Sequence, residues 1–326
     1  MSADVVHVAC GADERYVPHV AVMLHSLLTN ARSAPIQIHF MDGGLPAAAR
    51  DYLRRVVEAR GATIEFVAID VRRLAHLRLA EWFSPANYYR MLLPELLPNL
   101  PRVLYIDADV VVEDDVAPLW QTPLDGRELG AVSNVLHPKN PQDHVYNLGL
   151  AAPCDYLNSG VLLMDLARMR QTGLMQRLLD YAGAHPQLML YADQDAFNGV
   201  LKGQWRRLHP RWNVQTTMLE VEPPDQPLDP AELADALARP AVIHYMGWFK
   251  PWRVWSKHPL RANYRRYFRQ LPRPVHQVRK DFSMVLEYYF PGWVLLTYLR
   301  WRPRLAAVKR RIKSALNRIA VAPHER

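Results

Sequence analysis

The feature that most constrains this chain is the alternation of apolar strand-like runs with helical stretches over its first 106 residues. Val5 to Cys10 is followed by Val17 to Leu28, Ile36 to Met41 by Pro46 to Ala59, and Ile64 to Ile69 by further helical patterning before Val103 to Ile106. A βαβαβ order of this kind predicts an α/β fold: a mostly parallel central sheet with helices on both faces, and ligands at the carboxyl ends of its strands. Gly11-Ala-Asp13 and Asp107-Ala-Asp109 both fall at such ends. They are expected to share one crevice.

Half of the 326 residues are hydrophobic, enough to bury a full core. Two cysteines, Cys10 and Cys154, are too few for a disulfide framework or a zinc ribbon, which favours a reducing compartment. The opening residues have no basic region followed by a long apolar run, so a cytoplasmic location is expected. Neither G-x-G-x-x-G nor G-x-x-x-x-G-K-[ST] occurs, which argues against a dinucleotide oxidoreductase and a P-loop NTPase.

Further along, Tyr156 to Leu166 reads as a strand, and Asp193 to Leu201 as a short helix with Asp193 as an acidic N-cap signal. Five prolines punctuate Val221 to Pro240, predicting a surface loop with a short helix from Ala231.

Charge divides the chain in two. Residues 261–326 carry sixteen Lys and Arg against three acids, which leaves 24 basic and 29 acidic side chains in residues 1–260. We therefore expect a catalytic domain over 1–260 and a basic, aromatic C-terminal region over 261–326. Met284 to Leu299 is apolar but only sixteen residues long and is broken by Glu287 and Pro291-Gly292, too short to span a bilayer. From Leu305, apolar positions Leu305, Val308, Ile312, Leu316 and Ile319 lie opposite Lys309, Arg310, Arg311, Lys313 and Arg318. That is the pattern of an amphipathic helix lying on an anionic membrane surface. Nucleic acid is the weaker partner class, because the charge is confined to one amphipathic stretch.

The run "VLYIDADVVVED" ends a buried-strand pattern in two carboxylates, which burial makes costly unless something positive pairs with them. On an extended strand Asp107 and Asp109 would face one side and Ala108 the other. Two hard oxygen ligands suit Mg²⁺ or Mn²⁺. "VIHYMGWFKPW" adds an imidazole at His244, which favours Mn²⁺, a backbone free to approach phosphate at Gly247, and a point charge at Lys250. Each segment alone also has a plain structural account: D-x-D arises by chance, and a lone His is commonly half-buried beside a solvated Lys.

Taken together, "YIDAD", "YLNSGVLLMDL", "YADQDAFNGVL" and "HYMGWFKPW", in this order, closely resemble glycosyltransferase family 8 over roughly residues 5 to 255. These are retaining enzymes that include bacterial lipopolysaccharide galactosyl- and glucosyltransferases and glycogenin. The resemblance implies the Rossmann-like GT-A fold and a UDP-hexose donor carrying galactose or glucose. It implies an acceptor hydroxyl on a glycan or lipid-linked oligosaccharide such as lipopolysaccharide core. By the same resemblance Asp107, Asp109 and His244 would be metal ligands, and Ala12 and Asp13 would contact uridine. Ala108 would line the donor site, and Gly247 and Lys250 would hold the diphosphate. Arg90 and Asp193 would hold donor-sugar hydroxyls, Asn158 and Gly160 would line the sugar site, and Gln194 would sit near the anomeric carbon. The chain departs from the family pattern at Arg15, where relatives often carry Asn, and at Asn134, where the galactosyltransferase branch has Asp. A metal-dependent UDP-sugar hydrolase is the alternative activity for such a site.

Overall fold

The computed structural model describes residues 4–80, 83–222, 227–247, 250–253 and 256–272. Ten strands are found among them: β1 (Val6–Gly11), β2 (Ile36–Asp42), β3 (Thr63–Ala68), β4 (Arg102–Ile106), β5 (Val110–Val112), β6 (Leu129–Ser133), β7 (Leu157–Asp165), β8 (Arg206–Arg207), β9 (Val214–Gln215) and β10 (Val242–His244). Seven form one sheet in the order β3-β2-β1-β4-β7-β6-β8, and three form a second in the order β5-β10-β9.

The first half folds as its alternation predicts. Strands β3, β2, β1 and β4 are parallel neighbours, joined through helices Val17–Asn30 and Ala47–Glu58. Central strands β1 and β2 are buried on both faces, as a helix-covered parallel sheet requires, whereas edge strand β3 exposes alternate residues. Beyond β4 the sheet turns antiparallel through β7 and β6.

Helix Val17–Asn30 is apolar nearly all round and every residue from Val17 to Leu27 is buried, because its second face is covered as well. That face meets β5, the outer strand of the small sheet. The Val112 N–H donates to Ser26 Oγ at 2.9 Å, and Asn30 Nδ2 donates to the Val112 carbonyl at 2.9 Å. The backbone groups that a strand edge leaves unpaired are thus satisfied by helix side chains.

Three local expectations shift. Strand β7 ends at Asp165, whose side chain accepts from the Arg168 N–H and starts the helix Leu166–Gln171. The helix after Val221 runs Pro230–Ala238 and is capped by Asp229. Helix Arg261–Phe268 packs Tyr264, Tyr267 and Phe268 into the main core, which also includes Leu271, so core packing crosses position 260. The apolar segment Met284 to Leu299 and the amphipathic helix expected from Leu305 lie outside the described residues. No described helix is long and apolar enough to cross a membrane.

Candidate functional site

Asp107 and Asp109 do not lie on a strand. They occupy the turn that carries the chain from β4 in the large sheet to β5 in the small one, so strand alternation does not aim them. Two sheets do. The Asp107 N–H donates to the Gly160 carbonyl at 2.8 Å, extending the β4–β7 ladder by one residue. Past the turn, β5 pairs antiparallel with β10, which sets Val110 opposite His244, and the Tyr245 N–H donates to the Asp109 carbonyl at 3.0 Å. One sheet therefore fixes the first carboxylate, and the other fixes the second together with the imidazole.

The result is a tight donor set. Ligand atoms of Asp107, Asp109 and His244 all lie within 4.8 Å of one another. His244 Nε2 is 3.3 Å from Asp109 Oδ1 and 3.9 Å from Asp107 Oδ2. Two hard carboxylates and one borderline imidazole brought this close together fit a hard divalent cation.

Arg90, on the 3₁₀ turn Pro85–Leu92, is 2% exposed and organises the floor. Its Nη2 lies 2.8 Å from Asp107 Oδ1, its Nη1 donates to the Ser159 carbonyl at 2.5 Å, and its plane stands 4.3 Å from the centre of the Tyr105 ring. Tyr105 Oη also donates to Asp107 Oδ1 at 3.0 Å. On the other flank Arg90 Nε is 3.1 Å from Asp193 Oδ2, but neither of these buried atoms has a well-aligned hydrogen bond.

Burial works against the charge on Arg90, yet Asp107 and Asp193 outweigh it and keep the guanidinium ionised. Burial pushes the Asp193 carboxyl up to about 7, with Arg90 pulling down and Asp107 adding to the rise. Burial also opposes ionisation of Asp109, but Lys250 and His244 prevail and hold it well below the usual carboxylate range. Lys250 Nζ is bonded directly to Asp109 Oδ2 and donates to the Tyr245 carbonyl at 2.6 Å.

Asp193 is not the helix cap that its position suggests. Ala192 occupies that place with φ 53° and ψ −122°, a strained conformation for a residue with a Cβ, and the Asp193 carboxylate turns to Arg90. Gln194 Oε1 accepts from the Ser159 N–H at 3.2 Å. Asn158 Oδ1 accepts from the Gly160 N–H at 3.0 Å and from Asn213 Nδ2 at 2.8 Å, while its Nδ2 donates to Asn134 Oδ1 at 2.8 Å. A Cβ on Gly160 would stand 2.2 Å from His244 Cε1. Only glycine lets the imidazole lie against β7.

Arg90, Asp107, Asp109, Asn158, Gly160, Asp193, Gln194, His244 and Lys250 are thus joined by direct contacts or through Ser159 and Asn213. Asp13 stands apart: its carboxylate is taken by Arg15, at 2.7 Å, so the departure at Arg15 bears directly on a predicted uridine contact. Ala12 and Ala108 are buried small residues, and Gly247 has φ +69° with nothing among the described residues within 4 Å of where a Cβ would stand. Sequence patterns missed Tyr105, Ser159 and Asn213. Tyr105 was findable, two residues before Asp107 along a strand; Asn213 carried no signal.

Residues 7–256 match the sequence profile described as Glycosyl transferase family 8. The chain belongs to glycosyltransferase family 8. General stress protein A of Bacillus subtilis is 30% identical over 81% of this chain and 93% of that protein. The lipopolysaccharide 1,2-glucosyltransferase of Escherichia coli is 27% identical over 79% of this chain and 76% of its own. The crystal structure of the galactosyltransferase LgtC in complex with donor and acceptor sugar analogs superposes with a TM-score of 0.75 at 26% identity, covering 84% of this chain and all (100%) of that one. The fold is therefore GT-A, and this family 8 protein is a glycosyltransferase.

Proposed function

We propose that the protein moves a hexose, galactose or glucose, from its UDP derivative to a hydroxyl of a lipopolysaccharide-core or lipooligosaccharide acceptor, with retention at the anomeric carbon. The observation that carries this reading is the convergence of the Asp107, Asp109 and His244 ligand atoms within 4.8 Å, beside the buried Arg90–Asp193 ion pair. The imidazole favours Mn²⁺ over Mg²⁺. Bound there, the ion supplies Lewis-acid neutralisation of the charge that develops on the departing diphosphate.

The chain's own residues do the rest. Lys250 lies beside Asp109 and brings a second positive charge to the leaving group. Arg90 fixes Asp107 from behind, and Arg90 and Asp193 together hold donor-sugar hydroxyls. Asn158, Gly160 and Ala108 form the wall of the sugar pocket, Gly247 admits the diphosphate, and Ala12 and Asp13 meet the uridine. A double displacement needs a free carboxylate nucleophile close to the reacting carbon. Asp193 is a poor one, because it is paired with Arg90 and burial favours its neutral form. The Gln194 amide oxygen is already taken by the Ser159 N–H. The reaction therefore runs on the front face, where the departing phosphate takes the acceptor proton and the aligned hydroxyl attacks from the same side.

The test is a panel of UDP-sugars with the purified full chain and Mn²⁺, reading UDP release with and without a core oligosaccharide. Acceptor-dependent release that is lost in Asp109→Ala and in chelator is the expected result. Acceptor-independent liberation of hexose would mark a hydrolase instead. The basic residues beyond 272 would hold the enzyme peripherally on the cytoplasmic face of the inner membrane. Salt-sensitive binding to anionic vesicles but not to RNA is the expected outcome there.

A further inference from the structure

Behind His244 runs a relay of three buried amides. His244 Nδ1 lies 3.0 Å from Asn213 Oδ1, Asn213 Nδ2 lies 2.8 Å from Asn158 Oδ1, and Asn158 Nδ2 lies 2.8 Å from Asn134 Oδ1. Asn213 is 0% exposed and Asn158 1%. An amide side chain can be turned over and an imidazole can carry its proton on either nitrogen, so a row of them has no intrinsic direction. Here one group sets it. The Gly160 N–H donates to Asn158 Oδ1 at 3.0 Å, and a backbone N–H is never an acceptor. Asn158 must present its oxygen there, Asn213 must meet that oxygen with its NH₂, and the Asn213 oxygen is thereby left facing His244. The imidazole proton belongs on Nδ1. The lone pair belongs on Nε2, which faces Asp109 and Asp107.

We propose that Asn213 is the positioning residue of the metal site. It fixes the His244 tautomer and ring plane through a polarity that begins at the Gly160 N–H, and so presents Nε2 as a ready ligand. This rests on the metal-site reading above. It adds a function for a residue whose side chain bonds to His244 and Asn158. The relay also links Asn158, in the sugar wall, to the ligand that grips the ion.

Two measurements test it. In the metal-free full chain, ¹⁵N-labelled histidine spectra should show the neutral His244 ring, identified by its loss in His244→Gln, protonated on Nδ1. Protonation on Nε2 would overturn the relay whatever the metal does. Mn²⁺ titration followed by the free-ion EPR signal should then show Asn213→Leu weakening binding by about 10- to 100-fold. Asn213→Asp keeps an oxygen toward Nδ1 but loses the NH₂ that meets Asn158 Oδ1, so it should bind more weakly than wild type yet clearly more tightly than Asn213→Leu. Wild-type affinity in Asn213→Leu would refute the positioning role, as would equal weakening in Leu and Asp variants with the same loss of thermal stability. If the wild-type protein binds no Mn²⁺, or Asp109→Ala binds as tightly as wild type, the metal-site reading fails, while the tautomer spectrum still decides the relay.

Discussion

Gly160→Ala isolates one contact on which the site depends. The φ of Gly160 is not in the left-handed region, so alanine costs the backbone nothing and its whole effect is the added methyl. That carbon would stand 2.2 Å from His244 Cε1, 2.6 Å from Nδ1 and 3.0 Å from Asn158 Oδ1. Restoring a 3.4 Å contact to Cε1 requires the ring to retreat by about 1.2 Å, whereas ligand distances at a metal tolerate about 0.2 Å. The ring is 5% exposed and can retreat only by leaving Asn213. Overpacking of this kind costs about 1–3 kcal/mol of stability, and an ångström of misplacement at a reacting centre costs about 100-fold in rate. We expect Gly160→Ala to fold, to lose at least about tenfold in Mn²⁺ affinity and to turn over about 100-fold more slowly. The assays are Mn²⁺ titration and acceptor-dependent UDP release. Gly183→Ala, inside helix Leu174–Ala184 with nothing nearer than 3.8 Å to its new methyl, is the matched control and should keep both. A Gly160→Ala protein with wild-type affinity and turnover would refute the claim that His244 acts from its observed place.

Other perturbations follow from the same floor of charges. Arg90→Met takes the shared cation from buried Asp193 and half-buried Asp107 and should lower stability in urea by about 3–5 kcal/mol; Arg90→Lys should restore part of that stability but not transfer, since an ammonium cannot span both carboxylates. Asp109 is held low in the folded chain, while an unfolded Asp titrates near pH 4. Its contribution is therefore present above about pH 4 and is lost as the pH falls below that value. In chelator, the thermal midpoint of Asp109→Asn should fall less steeply than that of wild type between about pH 5 and 3, and parallel slopes would contradict this.

The parallel half of the fold was legible because each strand there is an apolar run long enough to show its period, with a helix on either side. The two-residue strands β8 and β9 left no pattern to find. The carboxylates, the histidine and the lysine were visible as motifs, but not the way they meet. The valines after Asp109 continue a strand pattern, and nothing in a period of two says that the chain has changed sheets. Asp193 looked like a cap because an acidic residue before an apolar helix commonly is one. Its true partner, Arg90, lies 103 positions earlier in the sequence. Asn213 and Ser159 act through contacts that only the assembled fold creates.

The switch of sheets at Asp107 and Asp109 has a mechanical consequence. A dication held by both carboxylates and by the last residue of β10 would rivet two separately hydrogen-bonded layers together across their seam. Loading the ion should then slow amide exchange at Val111 and Ile243, on the minor layer, far more than at Ile38 and Phe40, deep in the major one.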